Sequence, residues 1–298
     1  MTDVLVIGGS RYFGKHVIEQ LLAAGVRVTV VNRGSAAAPA GTTHLVADRD
    51  DEAALRAALG SRSFDAVLDQ VCYTPRQADI AARVFDGRTG RYVMTSTIEV
   101  YDPLSSAWLL PTPLGVPVAE ETIDLATWPV DLGEPWSDPA FRDSAYGEGK
   151  RQAEAVLAGA AFPVASVRCG HVVGGGAADF TGRLAYYADR LRRDEPIEVP
   201  TTVYASSFIT DRQIAEVLTW AVGADFTGPV NAASAQFDVY ELCAALAGET
   251  APRYTSGTSP YAFDRWYAMD TSRLAALGMK LPDAAAWLPA VAAEAMAA

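Results

Sequence analysis

The chain has 298 residues, half of them hydrophobic and a fifth charged, with a formal net charge of −12. That charge disfavours binding to a nucleic-acid phosphate backbone, and no apolar run approaches the roughly 20 residues that cross a bilayer. Met1 to Gly9 has neither a basic region nor a cleavage site, so no signal peptide is expected. The three cysteines are widely spaced and show no metal-binding pattern; we expect a cytoplasmic protein without a metal ion.

Strand and helix patterns alternate regularly from the N-terminus. Residues 3–7 form an apolar strand that ends at two glycines, residues 13–24 carry apolar side chains at helical spacing, and residues 27–31 form a second strand. Further strands are predicted at 44–47, 65–69, 91–96, 163–168 and 229–232, with helices at 51–59, 76–85, 144–159, 211–222, 238–247 and 283–297. This alternation predicts an α/β fold with a doubly wound parallel sheet of the Rossmann type.

Two stretches interrupt the alternation. Residues 102–142 are rich in Pro, Trp and acidic residues, and we expect them to form an insertion over the edge of the active site. Residues 169–205 have a mixed pattern. The predicted division is a dinucleotide-binding domain over 1–168, which 206–232 rejoins, and a small mixed substrate-binding lobe from 169–205 and 233–298.

A glycine-rich turn joins the first strand to the first helix. Backbone N–H groups at such a helix N-terminus suit a dinucleotide pyrophosphate, with glycines for the tight turn and the close helix packing. The spacing departs from the usual glycine pattern, because Arg11 stands at its midpoint. The residues predicted to bind the cofactor here are Gly8, Gly9, Ser10, Arg11, Tyr12, Phe13 and Gly14.

The end of the second strand bears on the choice of nucleotide. An acidic residue there would bind the ribose of NAD, but the chain has Asn32 and Arg33, and arginine can pair with a 2′-phosphate. We therefore expect NADP rather than NAD, with Arg11 as a possible second cation. The alternative is that Arg33 is solvated and Asn32 binds either ribose. Asp48 and Arg49 fit a position beside the adenine, or else a helix cap and a surface charge.

Tyr146 and Lys150 lie four residues apart, which places both on one face of the predicted helix. A nearby ammonium favours the phenolate, so the pKa of Tyr146 is expected to fall from its reference of about 10 towards neutrality. Such a phenol could exchange a proton with a carbinol oxygen. Tyr-x-x-x-Lys occurs by chance fairly often, and its position on the helix that precedes the sixth strand is what gives it weight.

Residues 91–101 (RYVMTSTIEVY), 168–174 (RCGHVVG) and 208–216 (FITDRQIAE) resemble segments of the extended short-chain dehydrogenases, the NAD-dependent epimerase/dehydratase family. The resemblance runs from Val4 to about Ala232. It implies Thr97, Tyr146 and Lys150 as the catalytic set, with Thr97 orienting the substrate oxygen. It further implies nucleotide contacts from Gln70, Lys150, Cys169 and His171, and substrate contacts from Glu99, Tyr101 and His171.

Three functions remain open. The leading hypothesis is an NADP(H)-dependent reductase or dehydrogenase acting on a small carbonyl or alcohol, with Tyr146 as general acid/base. An alternative is a nucleotide-sugar epimerase or dehydratase that retains NAD, for which Glu99 fits the acidic run of dehydratases but Ile98 does not. The last is a non-catalytic, RNA-associated relative, which the negative charge disfavours. A monomer or homodimer is expected, with a small-molecule substrate as the only partner.

Overall fold

The computed structural model describes residues 2–258, 261 and 263–297. Its strands are β1 (Asp3–Ile7), β2 (Arg27–Asn32), β3 (Thr43–Val46), β4 (Ala66–Asp69), β5 (Tyr92–Thr97), β6 (Val164–Cys169), β7 (His171–Val173), β8 (Ile197–Val199), β9 (Ser206–Thr210), β10 (Gly228–Ala232), β11 (Ala235–Phe237) and β12 (Tyr254–Ser256). Its helices are α1 (Phe13–Ala23), α2 (Glu52–Leu59), α3 (Pro75–Phe85), α4 (Pro139–Ser144), α5 (Tyr146–Ala158), α6 (Arg183–Arg192), α7 (Asp211–Gly223), α8 (Val239–Ala247), α9 (Ser272–Ala276) and α10 (Ala284–Ala297).

Seven strands form the central sheet, in the order β10-β6-β5-β4-β1-β2-β3, and all neighbours are parallel. The side chains of β1 alternate between its two faces: Val4 and Val6 pack with α1 and α7, whereas Leu5 and Ile7 pack with α2, α3 and α5. Burial on both faces explains why the strands are short and almost entirely apolar. The prediction of a doubly wound Rossmann-type sheet is confirmed.

A smaller unit follows β6. Strands β7, β9 and β11 form a mixed three-stranded sheet, and β8 pairs with β12. Helices α6, α8 and α10 enclose an apolar core with these strands. The segment 206–232 is split between the two units, because β9 lies in the small sheet while α7 and β10 return to the central one. Within the described residues, no helix is both long enough and apolar enough to span a membrane.

The insertion over 102–142 is mostly irregular and is held at both ends by the rest of the chain. Val118 forms a bridge with Met269, and the side chain of Glu120 accepts a hydrogen bond of 2.7 Å from the backbone of Asn231 on β10. Near its other end, the buried Trp136 lies against Gly149 of α5. The helix predicted at 144–159 is α5, which begins at Tyr146, and the short helix α4 before it closes the insertion.

Candidate functional site

A cleft of about 400 Å³ opens at the carboxyl ends of β1, β2 and β4. This is the edge of a parallel sheet where open α/β folds bind their ligands. Eleven of the predicted cofactor residues line the cleft: Gly8, Gly9, Ser10, Arg11, Tyr12, Phe13, Asn32, Arg33, Asp48, Arg49 and Gln70. Sequence reasoning did not single out the other lining residues, which include Tyr73, Gln77, Arg142 and Phe180.

The glycine turn forms a cradle that larger residues would fill. Gly8 and Gly9 have φ values of +89° and +77°, and a Cβ atom on Gly9 would lie 2.9 Å from Val6. Gly14 does not line the cleft; it packs beneath it, where a Cβ would lie 2.7 Å from the Cα of Gly9. The amide nitrogen of Gln70 is buried without a hydrogen-bond partner and faces the same cleft. A backbone cradle at the start of α1, with an unsatisfied amide beside it, fits a nicotinamide dinucleotide.

The side chain of Asn32 is fully occupied within the protein. Its Nδ2 donates to Ser10 Oγ (2.9 Å) and to the carbonyl of Ala36 (3.2 Å), and its Oδ1 accepts from the backbone of Gly34 at 2.7 Å. Asn32 therefore ties the end of β2 to the glycine turn rather than offering free groups to a ribose. Arg33 and Arg11 are exposed at the cleft and have no hydrogen bond or ion pair to any described residue.

Arg49 is not a surface charge. It is 6% exposed; its Nη2 forms an ion pair with Asp69 at 2.8 Å and also donates to the carbonyl of Gln77, while its Nη1 donates to the carbonyl of Val71. These contacts join the loops after β3 and β4, so Arg49 supports the wall of the cleft and is not free to bind adenine. Asp48 is exposed at the cleft, but the cap of α2 is Asp51, whose side chain accepts from the N–H of Ala54.

Tyr146, Thr97 and Lys150 come together beside Tyr73, which lines the cleft and whose ring centroid lies 6.2 Å from that of Tyr146. The Thr97 hydroxyl lowers the pKa of Tyr146 by hydrogen bonding to it. Lys150 is 1% exposed; its Nζ donates to the carbonyl of Thr95 at 2.7 Å and lies 4.6 Å from the ring centroid of Tyr73. The same Nζ lies 5.9 Å from the ring centroid of Tyr146. The structure thus places the predicted catalytic residues together, with the lysine behind the tyrosine.

The expected fall in the pKa of Tyr146 is wrong for this structure. Burial raises the pKa of Tyr146, and the hydrogen bond from Thr97 offsets only part of that increase. Burial also lowers the pKa of Lys150. Both shifts have one cause, since a low-dielectric site penalises any charged form. The phenol is therefore held in its protonated, proton-donating state.

Two glycines inside α5 allow the catalytic helix to approach its neighbours. A Cβ on Gly147 would lie 2.4 Å from the carbonyl oxygen of Glu99, and one on Gly149 would lie 2.5 Å from that of Tyr73. Glycine within a helix costs about 1 kcal/mol relative to alanine. Their presence in the YGEGK sequence was a signal of close backbone approach that the sequence analysis did not use.

Beyond Tyr146 lies a group of buried polar side chains. Glu99 Oε2 accepts a 2.7 Å hydrogen bond from Tyr267, and burial raises the pKa of this carboxyl. The ring of His171 packs edge-on to Tyr267 at 5.9 Å between centroids, and its Nε2 is buried without a partner. Arg183, at the start of α6, acts electrostatically on both Glu99 and His171. Arg183 and Tyr267 were not anticipated, because their segments have no distinctive pattern in the sequence.

Three predicted residues take other positions. Tyr101 is 4% exposed and is engaged in a buried network, where it accepts from Arg168 at 2.8 Å and donates to Asn231 at 2.7 Å. The hydroxyl of Tyr101 is therefore engaged within the protein. Cys169 and His171 lie outside the described lining of the nucleotide cleft. The thiol of Cys169 donates to the carbonyl of Ser96 at 3.0 Å, beside Tyr146 and Lys150.

Comparisons with known proteins agree with this geometry. Residues 4–106 match the model of the NAD dependent epimerase/dehydratase family. Bordetella bronchiseptica WbmH, solved in complex with NAD+, is 18% identical with a TM-score of 0.73, over 99% of this chain and 98% of that one. UDP-glucose 4-epimerase of Thermotoga maritima, solved with UDP-glucose, is 17% identical with a TM-score of 0.70, over 98% of each chain. No curated protein sequence matches the chain.

A third solved structure is dTDP-glucose 4,6-dehydratase of Bacillus anthracis in complex with NAD, which is 13% identical with a TM-score of 0.71, over 99% of this chain and 96% of that one. At these identities the likeness establishes a shared fold, which extends through the small C-terminal unit. The segment that matches the family model contains the glycine turn, β4 and Thr97. The N-terminal third of the chain is thus similar to the NAD dependent epimerase/dehydratase family, and the whole chain shares its fold with the solved structures.

Proposed function

We propose that the protein is an NADP(H)-dependent reductase or dehydrogenase that acts on a small carbonyl or alcohol substrate. The observation that carries this proposal is that one cleft lies beside the predicted catalytic residues and also presents two exposed arginines. Tyr146, with Thr97 and Lys150 beside it, packs against Tyr73, which lines the cleft. Arg11 and Arg33 stand at the outer part of the same cleft as exposed, unpaired cations.

The nicotinamide ring would exchange a hydride with the substrate carbon. Proton transfer and charge stabilisation would be performed by residues of this chain. In the reducing direction, the Tyr146 hydroxyl donates its proton to the substrate oxygen as that oxygen gains charge, and Thr97 holds the same oxygen by a hydrogen bond. Burial keeps the phenol protonated, which is the state that reduction requires. The ammonium of Lys150, fixed by Thr95, stabilises the phenolate that remains.

The preference for NADP rests on Arg33 and Arg11. Since Asn32 is engaged with Ser10 and Ala36, the groups left to contact the substituent at the ribose 2′ position are these cations. A charge-assisted hydrogen bond to a phosphate contributes about 1.5–3 kcal/mol. We therefore expect Arg33→Ala to raise the Kd for NADPH by roughly 10- to 150-fold and to leave the Kd for NADH within about twofold.

The test is a titration of freshly purified protein with NADPH and NADH, followed by fluorescence. Arg193→Ala is the matched control, because it removes an exposed cation outside the described lining of the cleft. An unchanged NADPH affinity in Arg33→Ala contradicts the NADP assignment. Failure of the native protein to bind either nucleotide contradicts the proposed oxidoreductase function as a whole.

A second candidate function is an epimerase or dehydratase that keeps its nucleotide through the cycle. Two observations support this candidate. Solved epimerase and dehydratase structures match the chain over nearly its full length, and the buried carboxyl of Glu99 lies beside Tyr146. The two candidates differ in the nucleotide found after purification. Stoichiometric NAD that survives gel filtration favours the second candidate, whereas an empty protein that binds NADPH favours the first.

A further inference from the structure

The side of the site opposite the nucleotide contains two arginines in unequal surroundings. Arg265 is paired with two carboxylates, Asp102 at 2.6 Å and Asp264 at 2.8 Å. Arg183 has no carboxylate within ion-pair distance among the described residues, and its buried Nε has no hydrogen-bond partner. Glu99 and Asp179 act on it only from a longer range. Its guanidinium lies over the ring of Tyr261 at 5.0 Å, a contact that supplies no negative charge, so Arg183 has capacity for an anion.

The surroundings of Arg183 also present unused hydrogen-bonding groups. His171 is 5% exposed, its Nε2 has no partner, and nearby Arg183 and Arg265 help to hold its imidazole neutral. Arg183 begins α6, whose N-terminus has no side-chain cap and no acidic residue in its first turn. Burial lowers the pKa of Arg183 despite the two carboxylates nearby, which marks a cation that is short of compensating charge. A partly buried, under-compensated cation at a helix N-terminus is stabilised by a bound anion.

The position of this group limits the kind of anion. The backbone of Glu99 packs against Gly147, next to Tyr146, and its carboxylate acts electrostatically on Arg183, so an anion at Arg183 would lie on the substrate side of Tyr146. The Glu99 carboxylate would repel a large anion whose negative charge is spread over many atoms. A hydroxyl group, in contrast, could donate a hydrogen bond to Glu99, as Tyr267 does. These features favour a compact planar anion, which a guanidinium can bind through two nitrogens, on a substrate that also carries hydroxyl groups.

Building on the proposed function, we propose that Arg183 and His171 form a carboxylate subsite, and that the substrate is a small hydroxy acid. Its carboxylate binds Arg183, its reacting oxygen lies at Tyr146 and Thr97, and a neighbouring hydroxyl donates to Glu99. In the oxidising direction, the carbinol carbon would give its hydride to NADP+ and the hydroxyl proton would pass to the phenolate form of Tyr146. The products are the keto acid and NADPH.

The experiment compares carboxylates with neutral analogues of matched size: lactate with propane-1,2-diol, 3-hydroxybutyrate with butane-1,3-diol, and glucuronate with glucose. Binding to the NADP+-loaded protein is followed by the rise in Tm, and turnover by NADPH absorbance. We expect at least one carboxylate to bind at least tenfold more tightly than its neutral partner. Arg183→Gln should weaken that carboxylate roughly 10- to 150-fold, leave the neutral partner within about twofold, and leave NADPH affinity unchanged.

Arg193→Gln removes the same charge from an exposed position just after α6 and should change none of these values. Arg183→Lys keeps a cation but loses the planar contact, so it should weaken the carboxylate by roughly tenfold even if the glutamine variant does not fold. The carboxylate subsite alone is overturned if each carboxylate and its neutral analogue bind equally. It is also overturned if none of these compounds binds to a protein that binds NADPH. Loss of NADPH binding in the native protein overturns the proposed function instead.

Discussion

The nucleotide cleft presents mainly backbone and exposed cations, such as Gly9 and Arg33, from segments close to the ends of β1 and β2. The region around Glu99 consists of buried side chains from four segments that are distant in sequence, and it includes His171, Arg183 and Tyr267. The first region depends on local chain geometry, and the second on long-range packing. Substitutions should therefore act differently in the two regions: through the shape of the backbone in the first, and through unbalanced charge or lost contacts in the second.

The largest effect is expected at the junction of the two regions. Tyr146→Phe removes the proton donor and keeps the ring, so kcat should fall by a factor of about 10² to 10⁴ while nucleotide affinity stays the same. Steady-state kinetics and an NADPH titration of the variant would measure both values. A phenylalanine variant that retains more than about a tenth of the native kcat would contradict the role of Tyr146 as the proton donor.

Beneath the substrate side, breaking the buried ion pair of Glu154 should destabilise the whole protein. Glu154 and Arg168 are at most 1% exposed and are joined by hydrogen bonds of 2.6 and 3.0 Å. Glu154→Gln leaves a buried guanidinium without its counter-charge, which should cost about 3–5 kcal/mol of unfolding free energy. Chemical denaturation of this variant should show the loss, whereas Asp79→Asn, in an exposed pair with Arg83, should cost less than about 1 kcal/mol.

On the cleft side, a single methyl group beneath the glycine turn should be poorly tolerated. A Cβ at residue 14 would meet the Cα of Gly9 at 2.7 Å, so Gly14→Ala should destabilise the protein by about 1–3 kcal/mol and weaken nucleotide binding. Gly223→Ala, at the end of α7, adds the same methyl group where no atom lies within 4 Å. Thermal melts with and without NADPH would compare the two variants, and equal losses would show that crowding at the turn is not the cause.

The rate of alcohol oxidation should depend on pH through Tyr146. Burial raises the pKa of this phenol above 10, so only a small fraction is phenolate at neutral pH. That fraction rises tenfold per pH unit, and oxidation, which needs the phenolate, should rise about tenfold from pH 6 to 7 and again from 7 to 8. Reduction, which needs the phenol, should be flat over the same range. A plateau in oxidation near pH 7 would indicate a pKa close to neutrality.

The smallest expected effect concerns Tyr73, which separates the cleft from Lys150. Its ring face holds the ammonium at 4.6 Å, a contact of about 0.5–2 kcal/mol. Tyr73→Leu should lower kcat by roughly 3- to 30-fold with little change in KM, because the Lys150 ammonium loses the aromatic ring face that positions it. Tyr73→Phe retains the ring face and should behave like the native enzyme; a loss in both variants would assign the effect to the hydroxyl instead.

The sequence predicted the elements that depend on neighbouring residues. Strands β1 to β6 and β10 were placed within one or two residues, because each is a short apolar run bounded by turn residues. The glycine turn and the Tyr146–Lys150 spacing were found for the same reason. The ion pair of Arg49 with Asp69, the network around Tyr101 and the approach of Arg183 to Glu99 join residues far apart in the chain. No local pattern encodes such pairs, and three-residue strands such as β7 and β8 are too short to show a period.

The order of strands in the central sheet has a consequence for synthesis. Strand β10 covers the outer edge of β6, yet it follows β6 by about 60 residues, most of which fold into the small mixed unit. At 5–20 residues per second, a ribosome leaves the edge of β6 without its partner for roughly 3–12 s. An unpaired strand edge presents backbone N–H and C=O groups to other chains. We therefore expect the yield of folded protein to fall as this period lengthens, for example when rare codons stand between residues 170 and 228.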